Sequence, residues 1–387
     1  MKRFPAVHLL LIAAAYIAVT GFQCGSAELT TARLAMQQKQ WQKAEESFLK
    51  ELQKNENNEE AWFLLGQVRL ELKKYPEMNE AYGRALAISG IHASDIARTR
   101  IAIWAELYNQ GINEYNRGRE DSTAYAVAIN AFTIAIALNP DSASTYYVTA
   151  LAYYAKNDLN KAETLLKTAM EKKPVYVDAA RLQGRIHMLR AQQKKDAKDG
   201  PGATAEYTKA AAALEMVYKA EPANADNIAM LIEAYELANE VDKAMTLTRD
   251  AVASDPKNPI FRFAYGVFLL KRDKFEESIE QFTKALEIQP ENPDAIYNLG
   301  VAYLNWGVAM KEADTKRGES MKAKVYKPDL SYKEKFRASL PYLEKITKLR
   351  PDDTALWLQL GKVYVNLNMQ KESKAAFDQA DRVTGEK

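Results

Sequence analysis

The sequence predicts an all-α protein built as a solenoid of stacked helix pairs. The first observation is a pair of amphipathic patterns, near 258–272 and 274–288, in which apolar residues recur at helical spacing and charges lie opposite them. Pro256 and Pro290 stand at the two ends of this stretch, where one helix has ended and the next has not begun. Neither helix can bury its apolar face alone, so the pair requires neighbours.

The second observation is a repeat of this pattern along the chain. Pro222, Pro256 and Pro290 are 34 residues apart, as are Gly266 and Gly300. A period of this length that carries two helices is typical of stacked helical repeats. The composition agrees, because the chain has only 13 Pro and 16 Gly and its 47% hydrophobic residues suffice for a continuous core.

Within this period the sequence resembles the tetratricopeptide repeat family, whose pattern is Trp-x2-Leu-Gly-x2-Tyr, then Ala-x3-Phe, then Pro. One match is Trp357-x2-Leu360-Gly361-x2-Tyr364 with Ser373-x3-Phe377 and Ala380. Further matches are Ile296-x2-Leu299-Gly300-x2-Tyr303, Trp62-x2-Leu65-Gly66, Ala44-x3-Phe48 and Ala128-x3-Phe132. The resemblance implies a right-handed α-solenoid of about nine such helix-turn-helix units with insertions.

The predicted solenoid covers 28–387 and is divided into successive units. These lie near 28–58, 59–90, 104–140, 143–174, 177–222, 225–256, 259–290, 293–351 and 354–387. Stretches near 88–100, 194–207 and 311–335 interrupt the period. The first lacks strong breakers after Gly90 and can extend the next helix backwards, whereas Gly200-Pro201-Gly202 in the second predicts a mobile loop. The third is rich in Lys and Glu, a composition typical of a solvated segment.

The N-terminus has the pattern of an export signal. Lys2 and Arg3 precede an apolar run over about 7–19, and small residues follow. This predicts a signal peptide over 1–23, with cleavage either before Cys24 or after Ala27. An uncleaved membrane anchor is a further alternative, because 4–22 carries no charge.

Cys24 is the only cysteine and stands where a bacterial lipoprotein carries its acylated residue. The preceding Gly21-Phe22-Gln23 differs from the usual lipoprotein pattern of Leu, then Ala or Ser, then Gly or Ala. Cleavage after Ala27, with small Gly25 at the −3 position, is therefore the alternative. Either route takes the protein out of the cytoplasm.

Charge and motifs argue against nucleic acid binding and catalysis. Without Lys2 and Arg3 the chain holds 51 basic and 51 acidic residues, so it lacks the basic excess that a nucleic-acid-binding face requires. Three histidines stand far apart, no thiol pair remains, and there is neither a phosphate-binding Gly-rich loop nor a Gly-x-Ser-x-Gly motif. We expect no enzyme activity, no cofactor and no metal site.

In the family, the first helix of each unit lines a concave groove that binds partners. The resemblance places Tyr108, Tyr115, Tyr147, Tyr154, Arg181, Arg185, Phe263 and Tyr297 at groove positions. Such side chains bury large areas while keeping a polar handle, as interface residues do. The alternative is that the aromatic rings pack between adjacent helices. Asn298 matches one residue of the family's carboxylate-binding set without the matching Lys and Arg, and the 311–335 insertion is a possible second contact.

The sequence therefore predicts a non-enzymatic protein–protein interaction scaffold of the bacterial cell envelope. It would be periplasmic or membrane-anchored through a lipid on Cys24 or an uncleaved signal, and it would bind segments of other proteins in its groove. The alternative is an envelope lipoprotein that binds glycan or peptidoglycan by stacking Tyr and Trp rings on sugars.

Overall fold

The computed structural model describes residues 26–320 and 326–385, and over these ranges its regular structure is entirely helical. Within these ranges, eighteen helices follow one another as nine pairs in which the first helix packs on the second. They divide into an N-terminal body, which ends at Tyr176, and a C-terminal body, which begins at Val177. The predicted fold class, an all-α solenoid of helix pairs, is confirmed.

The N-terminal body contains four pairs, with odd-numbered helices first and even-numbered helices second. They are α1 (Ala27–Gln37), α2 (Trp41–Lys54), α3 (Glu59–Glu71), α4 (Tyr75–Ile88), α5 (Ala93–Arg117), α6 (Ala124–Leu138), α7 (Ala143–Ala155) and α8 (Leu159–Lys172).

The C-terminal body contains five pairs arranged in the same way. They are α9 (Val177–Asp196), α10 (Gly200–Ala220), α11 (Ala225–Leu237), α12 (Val241–Ser254), α13 (Pro259–Leu270), α14 (Phe275–Ile288), α15 (Pro293–Ser320), α16 (Tyr332–Leu349), α17 (Thr354–Asn366) and α18 (Gln370–Thr384).

Most first helices begin at a polar capping residue. Asn58, Asn224 and Asn258 each accept a backbone N–H of the first turn of α3, α11 and α13, and Ser142 and Asp353 do the same for α7 and α17. Such caps satisfy amide groups that have no partner within the helix. The prolines that mark the period lie in the short connections just before these caps.

The turn inside a pair is made by one residue in the left-handed region. Residues with positive φ stand between the two helices of seven pairs: Lys39, Lys73, Asn157, Lys198, Asn239, Asp273 and Asn368. This conformation reverses the chain within three or four residues, as it does at many helix C-termini. The α5/α6 and α15/α16 pairs, which have longer connections, show no such residue in their described parts.

The core consists of large side chains from second helices packed on small residues of first helices. Phe48, Phe132, Phe282 and Phe336 are completely buried on α2, α6, α14 and α16. Successive first helices also approach one another within each body, at α5 and α7, α11 and α13, and α13 and α15. The first helices of a body thus form one surface, called here the first-helix face of that body.

Of the three interruptions, the structure confirms that the first extends the next helix backwards and contradicts the mobile loop predicted in the second. The 88–100 stretch is mostly the first two turns of α5, and much of 311–335 is helix, in α15 up to Ser320 and in α16 from Tyr332. The prediction of a mobile loop at Gly200-Pro201-Gly202 is wrong, because these residues form the first turn of α10. Asp199 caps this turn by accepting the Gly202 N–H, and proline fits a first turn because it needs no N–H partner there.

Candidate partner-binding surfaces

The eight predicted groove residues lie on first helices of one body or the other. Tyr108 and Tyr115 are on α5 and Tyr147 and Tyr154 on α7, whereas Arg181 and Arg185 are on α9, Phe263 on α13 and Tyr297 on α15. Seven of them are half-buried and Arg185 is exposed. They therefore form two separate groups, which are described body by body.

The four tyrosines of the N-terminal body form a tyrosine surface: Tyr108, Tyr115, Tyr147 and Tyr154. Ring centroids lie 6.2 Å apart for Tyr108 and Phe132, 5.7 Å for Tyr115 and Tyr125, and 5.1 Å for Tyr147 and Tyr176. One side of these three rings is thus used in packing, as the alternative interpretation expected. Their half-burial leaves the rest of each ring accessible to solvent.

The hydroxyl groups of the tyrosine surface carry most of its polarity. Within the described ranges, the hydroxyls of Tyr108, Tyr115 and Tyr154 make no hydrogen bond to another residue. Burial, and to a lesser extent the neighbouring Tyr125, raises the pKa of Tyr115 above its ordinary value of 10.0. Tyr115 is therefore neutral near pH 7, and these hydroxyls can donate or accept hydrogen bonds with a bound molecule.

The C-terminal body carries an apolar surface on two neighbouring first helices. Its members are Phe263, Val267 and Leu270 on α13 with Tyr297, Val301 and Leu304 on α15. The α13 residues recur every three or four positions and pack against Leu299 and Ala302 of α15. Tyr297 and Leu304 pack in turn against the cluster that includes α17. All six side chains remain half-buried, so the surface stays accessible.

Exposed aliphatic side chains extend this apolar surface at its edges. Ile260 is 60% exposed, Val308 39%, Leu358 38% and Val365 54%. Ile260 precedes Phe263 by three residues, and Val308 follows Leu304 by four, so each continues the stripe of its helix. Sequence reasoning missed them because it considered only aromatic and arginine side chains, although the same helical spacing identifies them.

Arg181 is not available to a partner in the way the sequence suggested. Its guanidinium forms ion pairs with Asp178 at 2.6 Å and Glu221 at 2.8 Å, and it donates to Asn227 at 3.1 Å. These contacts tie α9 to α10 and α11, a structural role. Arg185, one turn further along α9, is exposed and makes no ion pair with any described residue.

The Lys-rich insertion contacts its own helix pair and α17 of the next pair. The Lys335 amine lies 3.4 Å from the centroid of the Trp306 ring, and Lys311 donates to the Asn366 side chain at 2.7 Å. Asp314 accepts the Asp329 N–H at 3.0 Å at the end of the hairpin. Several charged side chains of the insertion are therefore engaged within the chain, and their presence does not require a partner protein.

The described residues offer no metal centre. Among them, no three His, Cys, Asp or Glu side chains are placed to hold a metal ion. His187 is buried and its Nδ1 lies 2.8 Å from Glu206 Oε2, an internal pair between α9 and α10. Asn298 is the one residue that matches the family's carboxylate-binding set. Its side-chain amide donates to the Asp294 carbonyl of its own helix at 2.8 Å.

The N-terminal predictions lie outside the described ranges. The signal peptide over 1–23 and the candidate lipidation site Cys24 both precede residue 26, where the description begins. None of the helices that the structure does describe is both long enough and apolar enough to span a membrane.

Comparison with protein families finds repeat models along both bodies. Models described as tetratricopeptide repeat match residues 29–93, 120–175, 203–264 and 354–385, and a model described as TPR repeat matches 268–307. The main unmatched stretches, 94–119, 176–202 and 308–353, contain most of α5, all of α9, the C-terminal part of α15 and all of α16. No curated protein matches the sequence.

Solved structures with helical repeats resemble the chain at low sequence identity. YrrB, described as a TPR protein with an unusual peptide-binding site, is 22% identical over 58% of this chain and 95% of its own, with a TM-score of 0.43. MamA from Desulfovibrio magneticus RS-1 is 21% identical over 49% of this chain and 97% of its own, with a TM-score of 0.38. A second MamA structure, MSR-1, is 18% identical over 53% of this chain and 98% of its own, with a TM-score of 0.37.

Proposed function

Because the chain belongs to the tetratricopeptide repeat family, we propose that it is a non-enzymatic scaffold that holds segments of partner proteins on its first-helix faces. Proteins built from such repeats bind other proteins or peptides, and the surface formed by stacked first helices is where they do so. The finer elements of the proposal are the two surfaces used, the export of the chain and its place in the cell envelope.

The observation that carries the proposal is the accessible apolar area on both first-helix faces. The tyrosine surface presents partly accessible rings with unbonded hydroxyls at Tyr108, Tyr115 and Tyr154. The apolar surface is extended by Ile260 and Val365, more than half of whose area is exposed. Contiguous apolar patches of this kind are characteristic of interaction sites, and aromatic residues concentrate binding energy there.

Crosslinking in cells that express the full chain tests this proposal for each face separately. One variant carries Tyr147→Ser and Tyr154→Ser, and another carries Phe263→Ser and Tyr297→Ser. We expect each to lose a specific crosslinked protein. The control is Leu49→Ser with Ile288→Ser, which removes exposed apolar side chains from the second helices α2 and α14. All variants must retain the helical circular dichroism of the wild type.

A clear negative outcome is available in this experiment. If both face variants crosslink the same proteins as the wild type, the rings serve packing alone and the proposed function fails. Loss of the same proteins from the control would show that the effect is not specific to the first-helix faces.

For localisation, we propose export and anchoring in a bacterial envelope. The support is the order of the N-terminal sequence: two basic residues, a short apolar run and then Cys24. An acylated Cys24 with more than one chain would hold the protein stably, whereas a single chain binds a membrane only marginally. We expect Cys24→Ser to move the protein from the membrane fraction to the soluble envelope fraction. Unchanged fractionation and processing would contradict lipidation.

A further inference from the structure

On the side of α9 and α11, the apolar surface of the C-terminal body is bordered by two charges at one repeat position that form no ion pair with any described residue. Arg185, Glu233, Val267 and Val301 stand at corresponding places on α9, α11, α13 and α15. Each directly follows the residue that packs on the second helix of its pair, namely Gly184, Ile232, Gly266 and Gly300. Read from α9 to α15, this row is cation, anion, apolar, apolar.

The four helices are neighbours in the order of the row. Arg181 of α9 donates to Asn227 of α11 at 3.1 Å, and Glu236 of α11 pairs with Lys271 after α13 at 2.7 Å. The apolar side chains of α13 pack directly on α15. A segment that crosses the first-helix face therefore meets the four row positions in sequence.

Arg185 and Glu233 differ from the charged groups around them. On the same helices, Arg181 pairs with Asp178 and Glu221, and Glu236 pairs with Lys271 at 2.7 Å. Arg185 and Glu233 are exposed and form no ion pair with each other or with any other described residue. Their charges are therefore left to solvent or to a bound molecule.

Resting on the proposed function, we infer that this face binds a protein segment in which an acidic residue is followed by a basic residue and then by apolar residues. The acidic side chain lies over Arg185, the basic one over Glu233, and the apolar ones over α13 and α15. Opposite charges at the border fix the register and direction of the segment, whereas the apolar contacts supply most of its affinity.

The spacing of the helices sets the spacing of the motif. Adjacent packed helices are about 10 Å apart, and a segment in the polyproline II conformation advances about 3.1 Å per residue with about three residues per turn. Every third side chain of such a segment points to the same side, and about three residues span the distance from one helix to the next. The motif is acidic, basic, apolar and apolar at positions 1, 4, 7 and 10 of a ten-residue segment, with direction along the chain left to the experiment.

Two pools of synthetic ten-residue peptides test the charge order. The matched pool has Asp at position 1, Lys at 4 and a mixture of Leu, Val, Phe and Tyr at 7 and 10, with Ser and Thr elsewhere. The exchanged pool has Lys at 1 and Asp at 4 and is otherwise identical, so composition and net charge are the same. Each pool is also made in the reversed chain direction. Binding to the full chain is measured by fluorescence anisotropy at low and at physiological salt.

We expect the wild type to bind the matched pool about tenfold more tightly in one chain direction, a difference of about 1.4 kcal/mol. The decisive variant exchanges the two charges, Arg185→Glu with Glu233→Arg, and should prefer the exchanged pool. Both residues are exposed, so the fold should persist, as circular dichroism will verify. If the double variant does not fold, Glu233→Gln should reduce binding of the matched pool and increase binding of the exchanged pool, because the Asp of the exchanged pool would lie over Glu233.

Equal binding of both pools, binding of neither pool, or an unchanged preference in the variant would overturn the inference. These outcomes are distinct from failure of the proposed function. The variant with Phe263→Ser and Tyr297→Ser can abolish a crosslink in cells while the two peptide pools bind the wild type equally. In that case the proposal that this face binds a partner is supported, and the proposed order of charges in the bound segment is contradicted. If the crosslinks survive that variant, the proposal for this face fails as well.

Discussion

A Cβ atom on Gly266 would lie 2.7 Å from Cε1 and 2.9 Å from Cδ1 of Phe282. Gly266 is on α13, and the Phe282 ring of α14 lies against its backbone with no exposed area. Gly361 stands in the same relation to Phe377, at 2.6 Å from Cε1. The glycine of the repeat pattern is therefore required by the ring that crosses it.

Gly266→Ala should consequently destabilise the protein although alanine favours helices. Overpacking in a core costs about 1–3 kcal/mol, against a propensity gain of about 1 kcal/mol for Gly→Ala in a helix. We expect a net loss of about 1 kcal/mol and a lower melting temperature. Gly83→Ala on α4 is the control, because only the end of Arg100 lies near its Cβ position, at 4.0 Å. The control should raise the melting temperature, and a rise for both variants would refute the steric explanation.

The repeat was readable from sequence because its determinants are local. The 34-residue interval of Gly266 and Gly300 records a close contact of each glycine with the second helix of its pair, and the asparagine caps recur with it. The contact is with the Phe282 ring at Gly266 and with the Leu343 side chain at Gly300. Positions of helices thus followed from the period. The interruptions were less readable, because Gly200-Pro201-Gly202 looks like a loop until Asp199 is recognised as a cap that holds it in helical form.

The availability of side chains for binding could not be read from the sequence. Arg181 occupies a groove position, but its partner Glu221 lies 40 residues away and Asn227 lies 46 away. Such pairings depend on the packing of three helices, and they do not recur in the sequence with the period of the repeat. The positions of Arg185 and Glu233 as neighbours on the first-helix face can be recognised only when the order of the first helices is known.

Lys73 should be replaceable by glycine with a gain in stability. Its φ is 56°, between α3 and α4, and a residue with a Cβ atom pays about 1–2 kcal/mol in the left-handed region. Lys73→Gly removes this cost but increases the entropy of the unfolded chain, so we expect a gain of about 0.5–1 kcal/mol by urea denaturation. Lys167→Gly, in the exposed middle of α8, should instead lose about 1 kcal/mol. A loss at both sites would contradict the prediction.

The buried Glu206 should give the protein a specific sensitivity to acid. Burial acts to raise the pKa of Glu206, but hydrogen bonds from Lys209 and His187 outweigh it and hold this pKa below the ordinary 4.5. A carboxyl whose pKa is depressed by folding stabilises the protein above about pH 4.5, and this contribution is lost as the pH falls through the folded pKa.

Glu206→Gln should therefore cost about 2 kcal/mol at pH 7, since it weakens hydrogen bonds to a buried charge. The difference from wild type should shrink below pH 4.5, as measured by denaturation from pH 7 to pH 3. Glu171→Gln, on an exposed position of α8, should change stability by less than about 0.5 kcal/mol throughout. A cost for Glu206→Gln that is independent of pH would show that the ionised form is not the stabilising one.

The outer side of the last described helix pair differs from that of an inner pair at two informative positions. Ile279 and Leu286 of α14 pack against the cluster formed with α15. Ile279 stands three residues before Phe282 and Leu286 four residues after it. The residues three before and four after Phe377 in α18 are Lys374 and Asp381, and both are exposed. Polar side chains at these places make this side of α18 compatible with contact to water.

Lys374→Ile with Asp381→Leu should restore the apolar side of an inner pair and cause self-association. Contiguous exposed apolar surface promotes contact between chains, and the side would resemble the one that α14 presents to α15. We expect a concentration-dependent increase in mass by sedimentation velocity, with unchanged helical circular dichroism. Lys371→Ile with Asp378→Leu alters the same helix at other exposed positions and should leave the mass unchanged. Equal association of both variants would mean that hydrophobicity alone, and not the position on the repeat, governs contact.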